Sequence, residues 1–207
     1  MEINNEQSLE KQILETAEKI FLEKGYAMTS TTEIARTVGC NQALVHYYYR
    51  TKENLFNVIF EQKFRTFFQE IFDFQHLQNL NFFDKLKFII ESHYDVLTKN
   101  PKIPTLILTE LSRRPEQINI LREKLRMLPE QLFVMLSRDL ENEIIQGRIR
   151  KIGLKDLLIS IISLNIALFL MMPIAESLLQ LSEYQKDELI SRRKSENVDF
   201  ILKSLRP

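Results

Sequence analysis

Tyr47, Tyr48 and Tyr49 follow one another directly, with His46 before them and Arg50 and Lys52 after. Phenol hydroxyls, an imidazole and two cations are hydrogen-bond donors suited to oxyanions and to buried carbonyls alike. On a helix three adjacent residues point in three directions, so the tyrosines cannot all be core. At least one of them must serve something outside it.

The rest of the chain offers little that could turn over a substrate. Four scattered Gly form no phosphate loop, and His46, His76 and His93 have no partners at metal-ligand spacing. Ser191 and Lys194 match an S-x-x-K pattern, but in a charged stretch without any supporting motif. An enzyme is not expected, and no catalytic residue, cofactor or metal is assigned. The single Cys40 excludes an internal disulfide and agrees with a reducing compartment. Its position is an inward one, where a free thiol behaves as a small hydrophobe rather than a sensor.

The composition is that of an all-α protein, with four Gly and six Pro in 207 residues and abundant Leu, Ile, Glu, Lys and Phe. Twenty-eight cations balance 28 carboxylates, and residues 1–65 hold eight Lys/Arg against nine Asp/Glu. Any contact with a polyanion must therefore come from local placement. The polar, acidic N-terminus MEINNEQSLEKQ resembles neither a signal nor a transit peptide, so a cytoplasmic location is expected. Leu157 to Ala175 runs uncharged for nearly the length of a bilayer span. It contains Ser160, Ser163, Asn165 and Pro173 and has no aromatic belt, which reads better as a helix buried in a subunit interface.

Hydrophobic periodicity and punctuation predict nine helices. The first covers 8–24, with Ile13, Leu14, Ala17, Ile20 and Phe21 as its stripe and Gly25 as its stop. Ser30 and Glu33 form a capping-box pattern that opens a helix to Val38. Gly39 breaks it, Asn41 caps a third helix to Tyr49, and Thr51 caps a fourth from Lys52 to about Phe74. The polar run Gln75 to Asn81 ends that one. Further helices are expected over 82–99, 103–113, 116–146 (with a break at Pro129), 154–171 and 186–205. Pro104 and Pro115 stand at expected helix starts.

Ile34, Ala35, Val38, Cys40, Val45 and Tyr48 fall on the inward faces of the second and third helices, with Gly39 where a positive φ is needed. That is a helix-turn-helix pattern, whose second helix is free to enter a DNA major groove.

Gly25-Tyr26, then T-S-T-T-E-I-A, then G-C-N-Q-A-L-V-H-Y-Y-Y-R-T-K-E-N-L-F resembles the DNA-binding domain of TetR-family transcriptional regulators, over about residues 8–60. The resemblance implies a DNA-binding domain in 1–51 and a helical ligand-binding and dimerisation domain in 52–207. It implies a homodimer on a double-stranded operator, and repression relieved by a small-molecule inducer that shifts helix four. It sets His46 and Tyr47 against phosphates and turns Tyr48 and Tyr49 inward. Tyr49 stands where the family usually has Phe, so its hydroxyl needs a partner. Thr31 and Lys52 lie at helix N-termini suited to phosphate. Base readout then falls to Gln42, Ala43 and Leu44, with Gln42 pairing to adenine, which implies A·T pairs at the readout positions.

In the larger domain, aromatic residues including Phe67 and Phe133 are expected near a mostly apolar pocket. His93, Tyr94 and Asp95 form its most concentrated polar cluster. His93 faces inward either as a satisfied core histidine or, with Tyr94, as a ligand contact. The last two helices are expected to pair with their symmetry mates. Two other readings stand beside this one: a helix-turn-helix that contacts protein rather than DNA, and a membrane-associated sensor resting on residues 157–175.

Overall fold

The structure, a computed structural model, describes residues 2–113 and 130–207. Among these are ten helices and no strand, so the fold is all-α as expected. They are α1 (Glu2–Met28), α2 (Thr31–Val38), α3 (Gln42–Tyr49), α4 (Lys52–Ile71), α5 (Phe74–Gln78), α6 (Phe82–Lys99), α7 (Ile103–Arg113), α8 (Glu130–Ile145), α9 (Leu154–Leu179) and α10 (Glu183–Ser204).

The helix ends follow from side-chain chemistry. Ser30 Oγ accepts from Glu33 N at 3.1 Å, Asn41 Oδ1 from Ala43 N at 2.9 Å, and Thr51 Oγ1 from Asn54 N at 3.0 Å. Each cap satisfies a backbone donor that the first helical turn leaves unpaired. Gly25 breaks the helical conformation with φ 75 and ψ 168, and helical turns resume after it as far as Met28.

Two expectations are corrected. The polar run after α4 contains a short helix, α5, because Asp73 Oδ1 caps His76 N and Leu77 is fully buried. And α9 continues to Leu179, eight residues past the expected end, with Pro173 inside it. Of the helix expected over 116–146, residues 116–129 lie outside the described residues, as does Pro115; the remainder is α8.

The chain forms two compact units. One holds the residues up to Thr66 together with α7 from Thr105; the other holds Phe67–Pro104 and residues 130–207. In the first, Ile13, Ala17 and Phe21 of α1 pack with Ile34, Ala35, Val45, Tyr49, Leu55 and Phe56. Phe21, Tyr26 and Phe56 meet there ring to ring, with centroids 5.1–5.8 Å apart.

In the second unit, α6, α9 and α10 share a core built from Leu86, Ile90, Leu157, Ile161, Val198 and Ile201. A buried polar node joins the three helices. Asn165 Nδ2 donates to Ile90 O at 2.9 Å and to His93 Nδ1 at 3.1 Å, and Asn165 Oδ1 accepts from Asn197 Nδ2 at 2.9 Å. Since Nδ1 accepts, the proton of the neutral ring sits on Nε2. Tyr94 Oη donates to Ile190 O at 2.8 Å, and Lys194 pairs with Asp95 at 2.7 Å, tying α6 to α10 twice more. Lys85, itself buried, pairs with Asp139 of α8 at 2.5 Å.

Gly39 holds φ 81, yet a Cβ there would meet nothing within 4 Å. The cost of a side chain is therefore conformational, not steric. Gly39→Ala should destabilise the first unit by about 1–2 kcal/mol, and Gly39→Asn by less, as read from denaturant midpoints. His93 is 3 % exposed, and burial lowers its pKa from 6.5 to about 4. The unfolded chain takes up the proton first, so the contribution is complete above pH 6.5 and lost as pH falls towards 4. Between pH 7.5 and 4.5 the wild type should lose roughly 2–3 kcal/mol through this ring, a loss missing from His93→Gln.

Candidate nucleic-acid interface

The turn between α2 and α3 is made by backbone alone. Gly39 N donates to Ala35 O and Arg36 O at 3.0 and 3.2 Å, and Cys40 N to Ala35 O at 2.9 Å. Cys40 is half-buried against the core, and that burial raises its thiol pKa. Helix α3 then buries Val45 and Tyr49, one turn apart, and leaves its other residues half-buried or exposed.

The three tyrosines separate as their spacing requires. Tyr49 is buried, and its hydroxyl finds its partner in the Glu10 carbonyl of α1 at 3.2 Å. Burial, with the nearby charge of Glu10 and then Tyr48, pushes its pKa up to about 12. Tyr48 is half-buried against the core. Tyr47 is 62 % exposed, its ring edge-on to Tyr48 at 5.2 Å.

Helix α3 ends in a tight turn that the sequence does not announce. Arg50 takes φ 64 and ψ −57, and Thr51 N donates to Tyr49 O at 2.6 Å, a γ-turn of positive φ that is rare and strained. Asn54 Nδ2 donates to the same Tyr49 carbonyl at 3.0 Å. The turn presents the Arg50 carbonyl to His46, whose Nδ1 lies 2.9 Å away.

The residues expected to contact DNA lie close together on this head. Gln42 Nε2 donates to Thr31 Oγ1 at 3.0 Å and sits 3.2 Å from His46 Nε2, while Thr32 Oγ1 donates to Gln42 Oε1 at 3.1 Å. Ala43 is exposed and Leu44 half-buried. Lys52 Nζ donates to Tyr26 O at 3.0 Å and Thr29 O at 2.9 Å, and stands 4.2 Å from the Tyr26 ring centroid. Its ammonium thus clamps the end of α1 to the start of α4. Sequence reasoning assigned no part to Thr32, the Arg50 carbonyl or Tyr26. His46 lies four residues after Gln42 on α3, and that spacing was the one available sign of their contact.

In the second unit His93 and Tyr94 are buried and hydrogen-bonded within the core, and Phe133 is half-buried. The side chain of Phe67 lies outside the described residues. A solvent-open groove of about 420 Å³ is lined by Phe74, Lys85, Val134, Met135 and Arg138 among others, and by none of the expected ligand residues. Among the described residues no three His, Cys, Asp or Glu side chains converge as metal ligands.

Comparison with known proteins matches this head to a described family. The model for bacterial regulatory proteins of the tetR family covers residues 13–59, which includes α2, the turn, α3 and the start of α4. The fatty acid metabolism regulator protein of Bacillus subtilis (strain 168) is 23% identical over 140 residues, 68% of this chain and 70% of that one. Among solved structures, a tetR-family regulatory protein from Rhodococcus RHA1 superposes with a TM-score of 0.72 at 21% identity, covering 96% of this chain and 97% of that chain. The fatty acid degradation regulator FadR from Bacillus halodurans gives 0.61 at 16% identity, covering 91% and 94%. These likenesses extend the fold to nearly the whole chain. A capped helix-turn-helix with an outward Tyr47, matched over residues 13–59 by the model for bacterial regulatory proteins of the tetR family, gives this chain a tetR-type helix-turn-helix head, and the second helical unit that follows completes a fold similar to that of tetR-family regulators.

Proposed function

We propose that the protein is a cytoplasmic, homodimeric repressor that leaves its operator when a small apolar molecule enters the second helical unit. The observation that carries the DNA-facing part is the exposure of Tyr47 at the end of a helix whose other tyrosines face or touch the core. Gln42, Ala43 and Leu44 meet base edges, while Thr31, Tyr47 and Lys52 meet phosphates. His46, expected to do the same, instead spends Nδ1 on the Arg50 carbonyl and Nε2 on Gln42 and so supports the reading turn from behind. Residues 1–51 form the DNA-binding domain and 52–207 the ligand-binding and dimerisation domain. Phosphate contacts set register and orientation, and base contacts set sequence preference.

The inducer class is a fatty acid or its derivative. The names of the Bacillus subtilis and Bacillus halodurans relatives support this, as does the wealth of Phe in the second unit, where Phe72, Phe74, Phe83, Phe88 and Phe133 are all half-buried. His93, Tyr94, Phe67 and Phe133 line the pocket in this reading. A ligand releases DNA only by binding the released state more tightly than the bound one.

Dimerisation runs through α9 and α10. Helix α9 is long and apolar enough to cross a membrane, with 28% of its most apolar window buried in the subunit. Ile159, Ile162, Met171, Ile174 and Leu178 stay exposed on it, and Phe200 is 63 % exposed on α10. A second copy covers these residues and sets two recognition helices about 34–36 Å apart, one turn of DNA.

Two experiments test this reading. The first follows binding to the DNA upstream of the gene by fluorescence anisotropy in a salt series. Tyr47→Phe should weaken binding about three- to tenfold with an unchanged salt slope, since a neutral donor releases no counterion. Lys52→Met should lower the slope by about 1 as well as the affinity. A full slope with reduced stability would leave Lys52 as the α1–α4 clamp alone. The second is analytical ultracentrifugation of Ile159→Glu combined with Phe200→Glu. A monomer with unchanged helical content is expected, and an intact dimer would move the interface elsewhere.

A further inference from the structure

Gln42 is held by its neighbours in a way that changes which base it can read. The Arg50 carbonyl can only accept, so His46 Nδ1, at 2.9 Å, carries the proton of the neutral ring. His46 Nε2 is then an acceptor, and the Gln42 atom 3.2 Å from it must be an N–H donor. This fixes the orientation of the carboxamide. One Gln42 N–H goes to His46 and the other to Thr31 Oγ1 at 3.0 Å. Gln42 Oε1 accepts from Thr32 at 3.1 Å and keeps a second lone pair.

A glutamine that reads adenine bidentately accepts from N6 and donates to N7. Gln42 in this arrangement has no N–H left to donate. It offers one acceptor, and in the major groove the groups that can donate to it are adenine N6 and cytosine N4. Guanine and thymine present only acceptors and a methyl group at their edges. We infer that His46 and Thr31 are specificity-positioning residues that lock the Gln42 amide as an acceptor, so that it selects an amino base, adenine or cytosine, rather than adenine alone. This rests on the reading that the first turn of α3 meets base edges, and it departs from the A·T preference that residue type alone implies.

The test is selection of duplexes from random DNA by the full-length protein, followed by sequencing, with thermal melting of each variant as a folding control. For the wild type, one half-site position should accept A and C to within about threefold and exclude G and T. Gln42→Ala should abolish the preference at that position. His46→Phe keeps a ring but removes the acceptor, freeing an N–H for adenine N7, so A should be favoured over C by about tenfold. Thr31→Val frees the other N–H and should narrow the preference in the same way. His46→Gln restores an acceptor and should return the A-or-C preference at that position, whatever it does to overall affinity. The inference is overturned if the Gln42-dependent position of the wild type selects A alone, G or T, or if His46→Phe selects as the wild type does. It also fails if His46→Gln cannot be told from His46→Phe. If Gln42→Ala changes no position, base contact by Gln42 fails and takes the inference with it. If the wild type selects no sequence at all, the operator-binding reading itself is lost.

Discussion

The head of this protein depends on how little of α3 is buried. Val45 and Tyr49 are the two residues that hold it, one helical turn apart, against a core supplied by Ile13, Ala17 and Phe21 of α1 and by Ile34 and Ala35 of α2. A third buried position on the same stripe would turn the first helical turn inward. A lost one would leave the helix too weakly attached, since eight residues do not form a stable helix alone. Tyr49 does more than fill space, because its hydroxyl ends on the Glu10 carbonyl of α1 and leaves no buried donor unpaired. With that stripe fixed, helical geometry alone sets Tyr47 outward and brings Gln42 and His46 to one exposed face.

The same economy governs the far end of α3. The γ-turn at Arg50 is a strained conformation, of a kind that persists only where its surroundings over-determine it. Here Tyr49 is anchored in the core, Asn54 bonds the Tyr49 carbonyl, and Thr51 caps α4 at once. The Arg50 carbonyl is aimed at His46 as a result. In the second unit the buried Asn165 plays a comparable part within an otherwise apolar helix. It is satisfied on both its oxygen and its nitrogen by groups of α6 and α10, so a rotation or slide of α9 would orphan several buried polar atoms at once. Apolar packing alone tolerates such slips more readily.

Local chemistry was legible in the sequence and tertiary chemistry was not. Ser30, Asn41 and Thr51 each cap the helix that follows them, because a cap needs only residues within three positions. The need of Tyr49 for a hydroxyl partner could be read; the partner, 39 residues away, could not. Helix α5 was missed because a polar run reads as an end, while Leu77 inside it is fully buried by neighbours from other helices. The expected end of α9 fell two residues short of Pro173, but proline removes only one N–H, and the helix, anchored before it by the buried Phe169 and Met172, runs on to Leu179. The engagement of Gln42 with Thr31 and Thr32 crosses from α3 to α2, and no spacing within one helix reveals it.

Charge counting misleads for the same reason. Eight cations and nine carboxylates in residues 1–65 suggest a head indifferent to DNA, but the charges are not spread evenly. Lys11, Lys24, Lys63 and Arg65 are each paired with a glutamate, and so neutralise much of the acid that the count holds against binding. Arg36 and Arg50 are exposed and carry no ion pair among the described residues. Arg36 stands in the last turn of α2 and Arg50 just past α3, one residue after the tyrosine run. On the proposed reading such a head neutralises few phosphates, which gives a weak and only mildly salt-dependent hold on arbitrary DNA and leaves discrimination to what α3 presents to the bases. A weak electrostatic background favours that arrangement, because what counts in a genome is the ratio of specific to non-specific affinity rather than either one alone.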